Sequence, residues 1–276
     1  MPTVKVRDAR IHYHVYGEGE PLLMIAGLCG DLYNWKKALP HLEKDHKVIV
    51  FDNRGSGHTE APDAPFSMED MGDDAAALLD ALGVARAHVL GWSMGGNVAQ
   101  MVALRHPDKV GALVLMSTYM KEPDRSRFAI DAMMHSVREG GSLETFNMMM
   151  QAWCSTDAFY RGRTASWSGL QDDCKQAIEG FARQKKALDD FDSRELVGEM
   201  MMPTLVVHGT EDIMVPPRYG EDLYRSINDA ELLWIEGAGH FLPPSGWTGP
   251  VLEFLSKHPL EEWGPSGSRA KADQSE

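Results

Sequence analysis

The stretch "HVLGWSMGGNVAQ", residues 88–100, sets Ser93 between Gly91 and Gly95, with Gly96 behind it, where a short apolar run gives way to apolar residues at helical spacing. A serine at such a junction can serve as a nucleophile. A sharp strand-to-helix turn lifts it to the carboxyl edge of a sheet, and glycines, lacking a Cβ, let neighbouring backbone pass close by. The first N–H groups of the following helix then point at whatever the serine attacks. A serine hydroxyl also needs a base to take its proton and an acid to orient that base. Two later stretches offer these groups where strands should end: "LVVHGTEDIMVPP" carries Asp212 with Glu211 beside it, and "LLWIEGAGHFLPP" carries His240. Asp124, soon after the run ending at Ser117, is a further candidate acid. The chemistry that these residue types support is acyl transfer through a covalent serine ester.

Residues so far apart in sequence can converge only if strand ends share one edge of a sheet. Short apolar runs recur at 22–28, 47–52, 87–92, 111–117, 203–209 and 230–236, and helix-compatible segments at 33–44, 68–82 and 94–105 fall between some of them. That alternation predicts an α/β fold, a mostly parallel sheet with helices on both faces. Residues 3–16 alternate as a hairpin strand does and close on the turn signal "GEGEP". Between Thr118 and Pro203 the pattern offers helical windows, "DAMMHSVREG" and "TFNMMMQAWC", and no strand. We therefore expect a helical lid over 121–200, inserted after the sixth strand of a core formed by 1–120 and 201–262, with 263–276 as a flexible tail. Nine of the 17 methionines lie within 120–202, where unbranched thioethers suit an adaptable apolar surface; most should simply pack the insertion onto the body. Met149 and Trp153 in the second window, with Trp92 beside the serine, are the candidate substrate-binding residues.

Lys and Arg number 27 against 41 Asp and Glu, a net charge of -14, so nucleic acid and anionic membrane surfaces are excluded as expected partners. Three cysteines, Cys29, Cys154 and Cys174, give neither a disulfide framework nor a zinc spacing. With no signal sequence and no apolar run of membrane length, a cytoplasmic protein acting on a small molecule is expected, monomeric or dimeric. His12 and His14 share a strand face but have no evident third ligand, so no metal is expected, nor any other cofactor. His208 should be a core histidine, and Cys29 either a small buried hydrophobe or a pocket residue. Arg125, Arg127, Arg161 and Arg163 could meet a substrate carboxylate, though the acids around them favour solvated faces.

Five motifs in order, "IAGLCGDLYNW", "FDNRGSGHT", "GWSMGG", "HGTEDIMVPP" and "GAGH", resemble the α/β-hydrolase fold family over residues 3–258. Their wording is similar to its enol-lactonase and small carboxylesterase branch. The resemblance implies Ser93 as nucleophile, His240 as general base and later acid, and Asp212 in preference to Glu211 as the orienting acid. It implies an oxyanion hole from the backbone N–H groups of Leu28 and Met94, and Arg54 bracing a loop. Many members carry His-Gly where this chain has Ala26-Gly27, which removes a side-chain support of that loop but leaves its backbone donor. A serine at the elbow departs from the dehalogenase and epoxide hydrolase branches, whose nucleophile is aspartate. The implied activity is cofactor-independent cleavage of a carboxylic ester or lactone. Perhydrolysis, C–C bond hydrolysis, cofactor-free oxygen chemistry and a ligand receptor with little turnover are the alternatives on the same scaffold.

Overall fold

The computed structural model describes residues 1–28, 30–161 and 178–260. The N-terminal alternation folds as two strands, β1 (Thr3–Val6) and β2 (Ala9–Tyr16), paired antiparallel from Val6 opposite Ala9. Arg7 turns the chain with φ 51°, and a reversal this short keeps the two-residue period in step, so the pair reads as one strand in sequence. The remaining strands are β3 (Glu20–Ile25), β4 (His46–Phe51), β5 (Ala87–Trp92), β6 (Val110–Met116), β7 (Thr204–Gly209) and β8 (Ala230–Ile235). Their order in the sheet is β1-β2-β4-β3-β5-β6-β7-β8, parallel from β4 onward, with β2 antiparallel to β4.

The helices follow as α1 (Leu39–Leu42), α2 (Met68–Ala81) and α3 (Met94–Arg105). Between β6 and β7 lie α4 (Asp124–Arg138), α5 (Leu143–Cys154), α6 (Asp157–Tyr160) and α7 (Ile178–Asp189). Last come α8 (Pro217–Ser226) and α9 (Pro244–Ser256). The helix expected over 33–44 is instead a 3-10 turn, Leu32–Trp35, followed by the single turn of α1. Pro40 is the reason: it has no N–H to continue the earlier turn, and it is tolerated only in the first turn of a new helix, where it sits in α1.

Successive residues of the central strands bury on opposite faces, which turns each strand into a continuous apolar run. Leu22, Met24, Val48, Val50, Leu90 and Val114 pack with Leu42 of α1 and Val251 and Leu255 of α9. Leu23, Ile25, Ile49, Phe51, Val89 and Leu115 pack with Leu78 of α2, Val98 of α3 and Leu223 of α8. Ile130, Met133, Phe146, Phe181 and Leu188, from the segment between β6 and β7, join this second cluster. Most methionines there do pack against the body: Met133, Met134, Met200 and Met202 are buried, and Met120, Met149 and Met150 partly so. Among the described residues, 121–200 contains no strand beyond an isolated bridge between Lys121 and Asp192. Cys29, Arg163, Cys174 and the 263–276 tail lie outside the described residues. Among the described residues no helix is long and apolar enough to cross a membrane.

Candidate active site

Ser93 is the one residue between β5 and α3, and it is held at φ 56°, ψ -124°, in the left-handed half of backbone space that costs a non-glycine residue strain. Two hydrogen bonds fix it there: its N–H donates to the Met116 carbonyl and its own carbonyl accepts from Gly96 N–H, both at 2.8 Å. The neighbouring glycines make the turn possible. A Cβ on Gly91 would lie 2.2 Å from the Gly95 oxygen, and one on Gly95 would lie 2.1 Å from the Ile25 oxygen. The N-terminus of α3 therefore rests directly on the ends of β5 and β3.

From this edge the Ser93 hydroxyl reaches His240 Nε2 at 2.9 Å, and His240 Nδ1 donates to Asp212 Oδ2 at 2.9 Å. The second carboxylate oxygen of Asp212 accepts Val215 N–H at 2.8 Å. Asp212 and His240 are each 2% exposed while Ser93 is only partly covered, so the charge-bearing pair is shielded and the hydroxyl is reachable. Asp212 stands three residues beyond β7 and His240 five beyond β8, on loops at the carboxyl edge of the parallel sheet. Glu211 and Asp124 are both exposed, and neither bonds His240. Beneath Asp212 lies His208, whose Nε2–H donates to the Val215 carbonyl at 2.8 Å; burial lowers its basicity and keeps it neutral, so it adds no competing cation.

Met94 opens α3, where an N–H has no partner within the helix. The Leu28 N–H donates to no backbone carbonyl among the described residues. The loop that carries Leu28 approaches the nucleophile closely, since a Cβ on Gly27 would stand 3.1 Å from Ser93 Cβ and 3.0 Å from the Trp92 ring. A serine hydrogen-bonded to a histidine–carboxylate pair can be activated as a nucleophile, and backbone N–H groups at the start of α3 and in the adjoining loop are the kind that can hold a developing oxyanion.

Trp92 takes part in a way its spacing does not announce. Its indole N–H donates to the His240 carbonyl at 3.1 Å, and its ring lies 5.2 Å from the imidazole and 5.5 Å from Phe241. Met149 and Trp153 are both half-buried on α5, Trp153 beneath the Arg125 guanidinium at 5.0 Å. The carbonyl of the adjacent Cys154 accepts Phe241 N–H at 3.0 Å, so α5 ends against the histidine loop. Ser126 Oγ, on α4, donates to the Met214 carbonyl in the acid loop. Arg127 pairs with Asp189 at 3.1 Å, and Arg161 is exposed. Arg54 braces α2 against its loop, donating through Nε to Asp74 at 2.8 Å.

The histidine arithmetic of β2 resolves into hydrogen bonding: His12 Nδ1 donates to Asp52 at 2.7 Å and His14 Nδ1 meets the Tyr16 hydroxyl at 3.1 Å. Among the described residues, the group that could approach a cation is one the sequence reading missed, Glu20, His46 and His88, whose ligand atoms lie within 4.8 Å of one another at the amino ends of β3, β4 and β5. These residues become neighbours only through the strand order, which no local signal carries. His88 Nδ1 accepts Ala112 N–H at 3.1 Å, so Nε2 keeps its proton and donates to Glu20 at 3.3 Å. A cation there would have to displace that proton, which suits a buried polar contact better than a metal centre.

The chain matches the α/β-hydrolase fold family over residues 20–246. A relative from Variovorax paradoxus (strain S110), named as a carbamate hydrolase, RutD, is 30% identical over 88% of this chain and 91% of its own length. The enol-lactonase from Burkholderia xenovorans LB400 superposes with a TM-score of 0.83 at 27% identity, covering 92% of this chain and 100% of that one. A thermophilic esterase from Thermogutta terrifontis gives a TM-score of 0.82 at 27% identity, over 94% of this chain and 100% of that one.

Proposed function

The chain belongs to the α/β-hydrolase fold family, and from that premise we propose that it is a serine hydrolase cleaving a carboxylic ester or lactone through an acyl-enzyme. Ser93 Oγ attacks the carbonyl carbon as His240 Nε2 takes its proton. Asp212 holds the imidazolium in place, and the N–H groups of Leu28 and Met94 receive the oxyanion. The tetrahedral adduct collapses as His240 returns the proton to the departing alcohol oxygen; water then repeats the attack on the acyl-serine. The observation that carries this reading is the unbroken chain of two 2.9 Å hydrogen bonds from Ser93 through His240 to Asp212.

The described residues of the 121–200 segment serve as a lid over this edge, a reading supported by the contacts of Ser126 with the acid loop and of Cys154 with the histidine loop. Met149 and Trp153 line its underside, where an apolar acyl or alcohol group would lie. A carbamate is the second reading, favoured by the 30% identical relative: its carbonyl takes the same attack, with carbamic acid in place of a carboxylic acid.

The test is turnover across p-nitrophenyl esters of increasing acyl length, simple lactones and an aryl carbamate, comparing the native chain with Ser93→Ala. Multiple turnovers that fall by about ten-thousand-fold or more in Ser93→Ala are expected. Absence of turnover, or turnover indifferent to the substitution, sinks the reading and leaves a ligand-binding role or different chemistry on this scaffold.

A further inference from the structure

Residues 26–28 and 30–32 belong to the loop that carries Leu28, and Ala26 at its start has no side-chain hydrogen bond with which to hold it. Two adjacent residues just beyond β4 do so instead. Asn53 Nδ2 donates to the Ala26 carbonyl at 3.0 Å, and Asp52 Oδ1 accepts Leu32 N–H at 2.9 Å, so the first and last residues of the loop are tied to one neighbouring strand end. Inside it, Gly30 N–H closes on the Gly27 carbonyl at 2.9 Å. Asp52 is itself immobilised: its Oδ2 accepts from His12 Nδ1 and from His58 N–H, both at 2.7 Å.

Asn53 is buried, and among the described residues its Oδ1 has no hydrogen-bond partner. An unsatisfied buried carbonyl costs free energy that an apolar side chain of the same size would avoid. Such a side chain would also strand the buried Ala26 carbonyl, so the half of the amide that makes a bond is the half that holds the loop beside Ser93.

We propose that Asn53, with Asp52, is a positioning residue for the oxyanion hole, fixing the Ala26 carbonyl and through it the aim of the Leu28 N–H at the oxyanion on Ser93. This rests on the serine-hydrolase reading above. A preorganised donor helps only if it already points where charge develops, and a displacement of about an ångström forfeits much of its worth.

Asn53→Leu, close to isosteric, removes the donor and the unsatisfied acceptor together and leaves the Ala26 carbonyl without its partner. Three results are expected together. The melting temperature stays level or falls modestly, since losing the unpaired Oδ1 offsets leaving the buried Ala26 carbonyl without its donor. For a p-nitrophenyl ester, kcat falls by about ten- to a hundred-fold while KM stays within about two-fold. A trifluoromethyl ketone, to whose carbonyl carbon Ser93 Oγ adds with its proton passing to His240, binds more weakly by the same factor as kcat. A side chain that only packs would give activity in proportion to folded protein and unchanged ketone affinity per folded site, and that result overturns the proposal. Should leucine overfill the site, Asn53→Ala is put through the same measurements with the same criteria. The native chain separates the two readings. If it neither turns over esters nor is labelled at Ser93 by a fluorophosphonate, the hydrolase reading falls and this one with it. If it does both and the Asn53 variants keep kcat and ketone affinity, the positioning role alone falls.

Discussion

At the scale of single residues, the reach of Trp92 is the least expected feature of the site. An indole beside a nucleophile reads in sequence as packing or as a substrate contact, yet its N–H holds the backbone of His240 at 3.1 Å while its ring rests against Gly27 on the other side. One side chain thus joins the nucleophile, the base and the loop carrying Leu28. Trp92→Phe keeps most of the ring and loses the donor, a net hydrogen bond of about 1 kcal/mol. If that bond sets the height of the imidazole, kcat for an ester substrate drops by up to about ten-fold with little change in melting temperature. Steady-state kinetics beside a thermal melt decide it: equal rates would mean that the histidine loop is held by its other contacts, such as Phe241 N–H to Cys154.

At the scale of elements, the strand-turn-helix around Ser93 depends on backbone contact that no side chain can share. Gly95→Ala would drive a methyl group against the Ile25 carbonyl, 2.1 Å from where the new Cβ would sit, and backbone in the centre of a sheet cannot withdraw. A loss of about 3 kcal/mol or more is expected, seen as a lowered denaturation midpoint or an insoluble product. A variant as stable as the native chain would show that α3 can slide outward along β3. The same contact explains why the glycine spacing was legible in sequence: the turn admits no other residue type at these positions. The split of the expected 33–44 helix shows the opposite case, where one proline outweighs a stretch of helix-compatible residues.

At the scale of the whole molecule, the end of the sheet remote from Ser93 sets a limit on acid stability. Burial pushes the His88 imidazole down to about 4, and it pushes His46 below its ordinary value of 6.5. The unfolded chain takes up these protons near 6.5, whereas the folded chain stays neutral to lower pH. Between the two values the unfolded state binds more protons, so stability is intact above 6.5 and falls as pH drops toward 4. The slope approaches about 1.4 kcal/mol per pH unit for each histidine so affected. Urea denaturation between about pH 7 and about pH 4 measures it, and His88→Gln should flatten the slope even if it lowers stability overall. An identical slope in the variant would assign the acid sensitivity to other groups.

What the sequence determined by itself was whatever physics writes locally. Burial on both faces makes central strands continuous apolar runs, so β4 to β8 were legible to within a residue and β3 to within three, its apolar run continuing into the loop at 26–28. The elbow around Ser93 was legible in its glycines, and Asp212 and His240 in their places just past strand ends. The tertiary structure alone decided which strand lies beside which. The order β2-β4-β3-β5 sets Asp52 and Asn53 against the Ala26–Leu32 loop and gathers Glu20, His46 and His88 at the far edge. Strand pairing is a choice among many nearly equivalent apolar edges, made by the sum of packing over both faces, and no single residue records it.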